Sequence, residues 1–207
     1  PNLMLTLTDN QKATLSIDLI TIAIEAYLSQ KANFFSDMFV EKGLEILSYA
    51  LDGSPTLDIT TPEEVLLAQA GCMISLGAAA SSLGVASLLS LSIYSRYRKS
   101  KSLISSILLP FELEDMAKFK LAKLEKLAHI IRACSDESTG EDAAKQFTEY
   151  VRQKIAKAAL PTRLKDMSLS IEQLSLPVED IRAVNLINNL PRSMTTDDLF
   201  DFIKLAY

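Results

Sequence analysis

Residues Val65–Ser95 read VLLAQAGCMISLGAAASSLGVASLLSLSIYS and contain no charged side chain. An apolar run of about 18 residues or more usually suggests a membrane span. This run is rich in serine and glycine, and such small residues contribute little of the transfer energy that a lone span needs. They do let helix backbones approach closely, which is typical of helices buried in a bundle. The run therefore favours two buried core helices divided near Gly84, and a membrane hairpin stays open as the alternative.

The composition is that of an ordinary globular protein. The chain has 207 residues, which is long enough for a sizeable core. Of these residues, 48% are hydrophobic and 23% are charged. A net charge of −5 argues against a general nucleic-acid binder. Two cysteines, Cys72 and Cys134, are too few for a disulfide framework, so we expect a reducing compartment, the cytoplasm. The first residues lack the features of a signal peptide, and because the chain begins with Pro1 we expect it to be part of a longer protein.

The sequence pattern is typical of helices, because glycine and proline are scarce and the alternation of apolar and polar residues that marks strands is almost absent. We predict an all-α fold, a multi-helix bundle of about eight to ten helices in a single domain over residues 1–207. Within it we expect an extended lead-in over 1–14, core helices over 15–110 and further helices over 111–207. Ser16 is predicted to cap the first helix, and Pro110 to end a short buried one.

Motifs for enzyme chemistry are absent from the sequence. The one histidine, His129, is predicted as a partly exposed helix residue, and with Cys72 and Cys134 far apart in sequence no usual zinc site can be assembled. There is no glycine-rich phosphate loop, no nucleophile elbow and no expected nucleophile–base pair. The basic cluster from Arg96 to Lys101 is read as a solvated loop rather than a phosphate site.

Three stretches together resemble the helical C-terminal domain of the iron-containing (group III) alcohol dehydrogenases. Residues 16–29, SIDLITIAIEAYLS, resemble the family's D-A-L-T-H-A-I-E-A-Y segment. Residues 83–110, LGVASLLSLSIYSRYRKSKSLISSILLP, follow its G-x-x-H-x-x-x-H…H-G…I-L-L-P pattern without a gap from Gly84 to Pro110. Residues 190–207, LPRSMTTDDLFDFIKLAY, are similar to its final N-P-R-x-x-T-x-x-D helix. The fold implied is the C-terminal domain shared with dehydroquinate synthase-like proteins.

This resemblance implies a two-domain, NAD(P)-dependent dehydrogenase. The upstream nucleotide-binding domain would hold the cofactor and be the partner of this domain. The helical domain of the family holds iron or zinc through one Asp and three His, and the metal polarises the substrate oxygen during hydride transfer. We expect no cofactor in this chain itself, no nucleic acid and no membrane, and a homo-oligomer stays open.

When the family's pattern is carried over residue by residue, most of its metal ligands have no counterpart in this sequence. The Asp ligand falls on Asp18, which is kept, whereas the three His ligands fall on Ile22, Ser87 and Lys101. The additional His that assists proton transfer falls on Leu91. Isoleucine has no lone pair, and a protonated lysine repels a cation. The resemblance therefore implies a former metal site in which the metal chemistry does not run.

Loss of the metal would leave Asp18 as a carboxylate that needs a new partner if it is buried. Lys101, or else nearby Arg96 or Arg98, is the hypothesised replacement cation. The alternative is that Asp18 only caps or faces solvent at a helix start close behind Ser16. Both interpretations stay open at this point.

Three functions follow from these observations. The first, which we favour, is a metal-free relative of the dehydrogenases with a structural, ligand-binding or partner role. The second is a working NAD(P)-dependent dehydrogenase in which Lys101 stabilises developing charge on the substrate oxygen. The third is an interaction module or membrane hairpin built on the uncharged run.

Overall fold

The computed structural model describes residues 2–207, and this part of the chain forms α-helices and short 3-10 helices without β-strands. The α-helices are α1 (Asp9–Leu28), α2 (Phe34–Asp52), α3 (Glu63–Ala79), α4 (Val85–Tyr97), α5 (Lys101–Met116), α6 (Leu121–Ile130), α7 (Gly140–Lys157), α8 (Ser175–Arg182) and α9 (Thr196–Ala206). Three 3-10 helices span Asn2–Thr6, Leu164–Met167 and Asn185–Asn189. The all-α prediction and its number of helices are confirmed.

The first helix begins earlier than the sequence analysis predicted. Asn2–Thr6 forms a 3-10 helix, and Thr8 then caps α1. The Thr8 hydroxyl accepts a hydrogen bond from the Gln11 backbone N–H, while the Gln11 side chain accepts one from the Thr8 N–H. This capping box satisfies two donors that a helix start would leave free. The extended lead-in predicted over 1–14 is therefore wrong, and its first residue, Pro1, lies outside the described residues.

Ser16 lies inside α1 rather than at its start, so its predicted role as a cap is also wrong. Its hydroxyl donates back to the Lys12 carbonyl at 2.8 Å, a bond within the helix. The first turn of α1 is polar and exposed, and the apolar pattern that marks a helix in sequence begins only after it. Asp18 is consequently a mid-helix residue.

The uncharged run Val65–Ser95 supplies all of α3 after Glu64 and most of α4, and the two helices are divided near Gly84 as predicted. Its small residues allow close packing against α2: a Cβ added at Gly77 would come within 2.7 Å of the Val40 Cγ2 atom. Among the described helices, none has the length and apolar content needed to cross a membrane. The run thus forms two packed helices, of which the first part of α4 is buried, whereas α3 buries one face and leaves residues such as Cys72 and Leu76 exposed.

Helix α5 continues through Pro110 to Met116, which contradicts the predicted end at Pro110 and the boundary drawn there for the 15–110 segment. A proline inside a helix costs about 3 kcal/mol. Leu109, Leu113 and Met116 are all buried, and each fully buried apolar side chain contributes about 1.5–3 kcal/mol. Burial therefore outweighs the local cost of the proline.

The apolar side chains form two buried clusters. The first is built by α1, α2, α3, α6 and α7, and the second by α4, α8 and α9. Helix α5 belongs to both: Leu109 and Leu113 lie in the first cluster, while Ile104, Ile107 and Leu108 lie in the second. The beginnings of α4 and α5 meet the middle of α1 where the two clusters join. All of the positions that the resemblance assigns to the metal site lie on these three helices.

Candidate functional site

Asp18 and Lys101 form an ion pair between α1 and the first residue of α5. The Lys101 Nζ atom lies 2.6 Å from Asp18 Oδ1, and the Ser102 hydroxyl donates to Asp18 Oδ2 at 2.9 Å. Asp18 is only 7% exposed. The hypothesised pair is confirmed, and the alternative of an Asp18 that caps its helix or faces solvent is wrong.

The other two candidate cations have partners elsewhere. Arg96 forms two hydrogen bonds to Asp180, at 2.5 and 2.6 Å. Arg98 ends α4 in the left-handed conformation with φ of 54°, and its guanidinium lies 5.7 Å from the centre of the Tyr94 ring. Lys101 is therefore the cation that faces Asp18.

The remaining positions that the resemblance assigns to the site supply no imidazole or carboxylate. Ile22, one turn after Asp18, packs against the first apolar cluster. Leu91 is 42% exposed on α4. Ser87 is fully buried in the first turn of α4, and its backbone N–H donates to Glu25 Oε1 at 2.8 Å. Among the positions that the resemblance assigns to the metal ligands, Asp18 is the only one with a carboxylate, and it is engaged by an ammonium and a hydroxyl.

These residues do not fit a divalent metal ion. Fe²⁺ and Zn²⁺ sites in proteins are built from several imidazole, thiolate or carboxylate donors. Within residues 2–207, no group of three or more His, Cys, Asp or Glu side chains is placed to hold a metal ion. The Lys101 ammonium beside Asp18 also places a positive charge next to the remaining ligand.

Glu25 is a buried carboxyl that the sequence analysis did not single out, and it lies within reach of the charge of Lys101. It is 1% exposed on α1 and lies against Gly84, where an added Cβ would be 2.5 Å from the Glu25 Cγ atom. Burial raises the pKa of Glu25, although hydrogen bonds from Ser87 and Gly84 and the charge of Lys101 act in the opposite direction. Glu25 thus accepts hydrogen bonds from backbone N–H groups at the start of α4, which have no partner within the helix.

A second buried carboxyl, Glu112 on α5, approaches the same turn of α4. Burial, followed by the negative charges of Glu25 and Asp115, raises the pKa of Glu112 well above its usual range. Three buried side-chain atoms of the described residues have no hydrogen-bond partner, and they are Glu25 Oε2, Ser87 Oγ and Glu112 Oε2. A proton on Glu112 would relieve the repulsion between the two carboxyls. The sequence did carry a signal, since each glutamate interrupts an apolar stretch, TIAIEAYL or LLPFELE.

His129 and Cys134 form a contact that the sequence analysis also missed. The Cys134 Sγ atom lies 3.5 Å from His129 Nδ1, which brings a thiol and an imidazole together. The two residues lie on either side of the end of α6, where helical spacing no longer predicts contacts.

The model of the Fe-containing alcohol dehydrogenase family, C-terminal part, matches residues 12–207. The chain belongs to the iron-containing alcohol dehydrogenase family. Lactaldehyde reductase of Escherichia coli (strain K12) is 24% identical over 196 residues, which cover 95% of this chain and 51% of the reductase. The family resemblance predicted from three short stretches is confirmed.

Solved structures of this family share the fold. An alcohol dehydrogenase from Oenococcus oeni matches with a TM-score of 0.88 at 20% identity, covering 100% of this chain and 54% of that one. Sulfoacetaldehyde reductase from Bifidobacterium kashiwanohense, in complex with NAD+, matches with a TM-score of 0.72 at 14% identity, covering 97% and 51%. The chain spans about half the length of the relatives that it matches.

Proposed function

We propose that this iron-containing alcohol dehydrogenase-like domain has lost its metal and has a non-catalytic role, in structure, ligand binding or partner contact. The observation that carries the proposal is the 2.6 Å contact between Lys101 Nζ and Asp18 Oδ1. A single positive charge in the place of a divalent cation satisfies the one ligand that is left. A buried carboxylate with neither metal nor ammonium would cost several kcal/mol, so the replacement also explains why Asp18 is still present.

The direct test is the metal content of the chain after exposure to Fe²⁺ and Zn²⁺ under reducing conditions. We expect about 0.1 metal ion per chain or less, because one carboxylate and a competing ammonium make a weak site. The matched control is the double variant Ile22→His and Lys101→His, which joins two imidazoles to Asp18 and is expected to bind Zn²⁺ or Co²⁺ in near-stoichiometric amount. Stoichiometric metal in the unaltered chain would refute the proposal.

In the second candidate function, the whole protein is a working NAD(P)-dependent dehydrogenase. It is favoured by the position of the Lys101 ammonium, on the residue that aligns with a family metal ligand. The test is NADH-dependent reduction of an aldehyde such as lactaldehyde by the full-length protein. Turnover that disappears in a Lys101→Met variant shown to be folded at the assay temperature would support this candidate, whereas absence of turnover in the unaltered protein supports the non-catalytic role.

We infer that the natural partner of the domain is a nucleotide-binding domain in the same polypeptide, because the matched relatives are about twice as long. NAD(P) would then be bound by the whole protein and not by this chain alone. The cytoplasm stays the predicted compartment, since Cys72 and Cys134 are both free thiols. A homo-oligomer, and the absence of nucleic-acid and membrane partners, stay predictions as well.

A further inference from the structure

A thiol and an imidazole meet in the segment between α6 and α7. His129 is the penultimate residue of α6, and Cys134 lies in the following loop. The Cys134 Sγ atom is 3.5 Å from His129 Nδ1, and His129 Nε2 is 2.9 Å from the Ser138 carbonyl oxygen. Both side chains are partly exposed, so a small molecule in solvent can reach them.

The contact to Ser138 determines where the imidazole proton lies. A carbonyl oxygen only accepts hydrogen bonds, so in the neutral ring Nε2 carries the hydrogen and Nδ1 has the lone pair. Nδ1 therefore accepts the hydrogen of the Cys134 thiol. A nucleophile whose base is oriented by a third group is the usual arrangement for general-base activation.

The Ser138 carbonyl is itself held in place by neighbouring side chains. Ser138 is 5% exposed, and its hydroxyl is 2.7 Å from the Ser135 hydroxyl. Gln146 on α7 donates to the same hydroxyl at 2.7 Å and accepts from the Ser135 N–H at 3.1 Å. The loop that orients His129 is thus tied to α7 rather than free to turn away.

We propose that Cys134 is a covalent modification site for low-molecular-weight disulfides, and that His129 acts as its general base. The Cys134 sulfur attacks one sulfur of the disulfide while its proton passes to His129 Nδ1. A new S–S bond forms, the original S–S bond breaks, and the departing thiolate takes the proton back from the imidazole. The chain is oxidised to a mixed disulfide, and half of the small disulfide is reduced to a thiol.

The surroundings of Cys134 make the base necessary. Burial, followed by the negative charges of Asp136 in the loop, Glu125 on α6 and Asp142 on α7, raises the pKa of the Cys134 thiol. Free thiolate is consequently scarce at neutral pH, and attack requires that the proton leave in the same step. The acidic neighbours also favour a neutral or cationic disulfide over an anionic one.

The chain contains its own control thiol. Cys72 is exposed on α3, whereas Cys134 is partly buried, so exposure alone predicts faster reaction at Cys72. Two single-thiol variants, Cys72→Ala and Cys134→Ala, would be treated with neutral 4,4′-dithiodipyridine at pH 7, and the released thione followed by absorbance. We expect the Cys134 thiol to react at least fivefold faster than the Cys72 thiol, with mass spectrometry confirming one adduct.

The role of the base is tested by His129→Gln in the Cys72→Ala background. A glutamine amide can still donate a hydrogen bond to the Ser138 carbonyl, but it is not basic. We expect the rate at Cys134 to fall at least fivefold while the thermal unfolding midpoint of the variant confirms that it is folded. A smaller fall, or a Cys134 thiol no faster than Cys72, would overturn the proposal.

Discussion

Replacing Lys101 with methionine is expected to lower the free energy of unfolding by about 3–5 kcal/mol, the cost of leaving a buried carboxylate without its partner. The Asp18 side chain is 10% exposed and that of Lys101 22%, so water screens this pair far less than a surface pair. Methionine keeps the length and apolar stem of lysine, so the loss reports on the charge. Urea denaturation at pH 7 measures it.

The matched control is Lys42→Met, which removes a lysine from an exposed pair with Glu45. The two side chains there are 53% and 41% exposed, and the expected loss is about 1 kcal/mol or less. Adding Asp18→Asn to Lys101→Met should recover much of the loss, since a neutral amide costs less to bury than a charge. A loss for Lys101→Met no larger than that of the control would show that the pair is not structurally important.

The position of Lys101 gives this pair a second physical role. As the first residue of α5, its ammonium lies at the positive end of the helix dipole, where a cation is disfavoured. The Asp18 carboxylate, in contrast, is favoured there and also accepts the Ser102 hydroxyl. Asp18 thus stabilises both the lysine and the start of α5, and the pair joins α1 to the helix shared by the two apolar clusters.

The sequence predicted this site because its residues fall in gapless register with a family pattern. From Gly84 to Pro110 there is no insertion, so Lys101 could be named as a candidate partner of Asp18, beside Arg96 and Arg98 and with a solvent-facing Asp18 as the alternative. The division of the uncharged run into two packed helices was predicted for a different reason, since its small residues contribute little of the transfer energy of a lone span but suit close helix packing.

The features that were missed depend on packing between distant segments or on loop geometry. Nothing in the spacing of Glu25 and Glu112 reveals that α1 and α5 bring both carboxyls to the first turn of α4. The Cys134–His129 contact forms across a helix end, where periodicity stops. The local cost of Pro110 predicts a helix end, and only the fold shows that burial of Leu113 and Met116 offsets that cost.

Glu112→Gln is expected to stabilise the protein at pH 8 by about 1–3 kcal/mol, because burial and the charge of Glu25 oppose ionisation of Glu112 in the fold while the unfolded chain ionises it freely. The folded-state pKa of Glu112 is raised, so the folded chain binds this proton more tightly than the unfolded chain. Stability contributed by the group is therefore fully present below the unfolded pKa of about 4.5 and is lost as the pH rises through the folded pKa, by at most about 1.4 kcal/mol per pH unit. Glutamine has nearly the same shape and no proton to lose.

The prediction is read from the difference in unfolding free energy between Glu112→Gln and the unaltered chain, measured by urea denaturation from pH 4.5 to pH 8. The difference should be small at pH 4.5 and grow with pH, in favour of the variant. Glu114→Gln is the control on the same helix, because Glu114 is exposed and paired with Arg152, and its loss should stay within about 1 kcal/mol. A Glu112→Gln difference that does not grow with pH would mean that Glu112 is ionised in the fold. The backbone N–H groups of Val85 and Ala86 at the start of α4, which act to lower its pKa, would then be the donors that stabilise its charge.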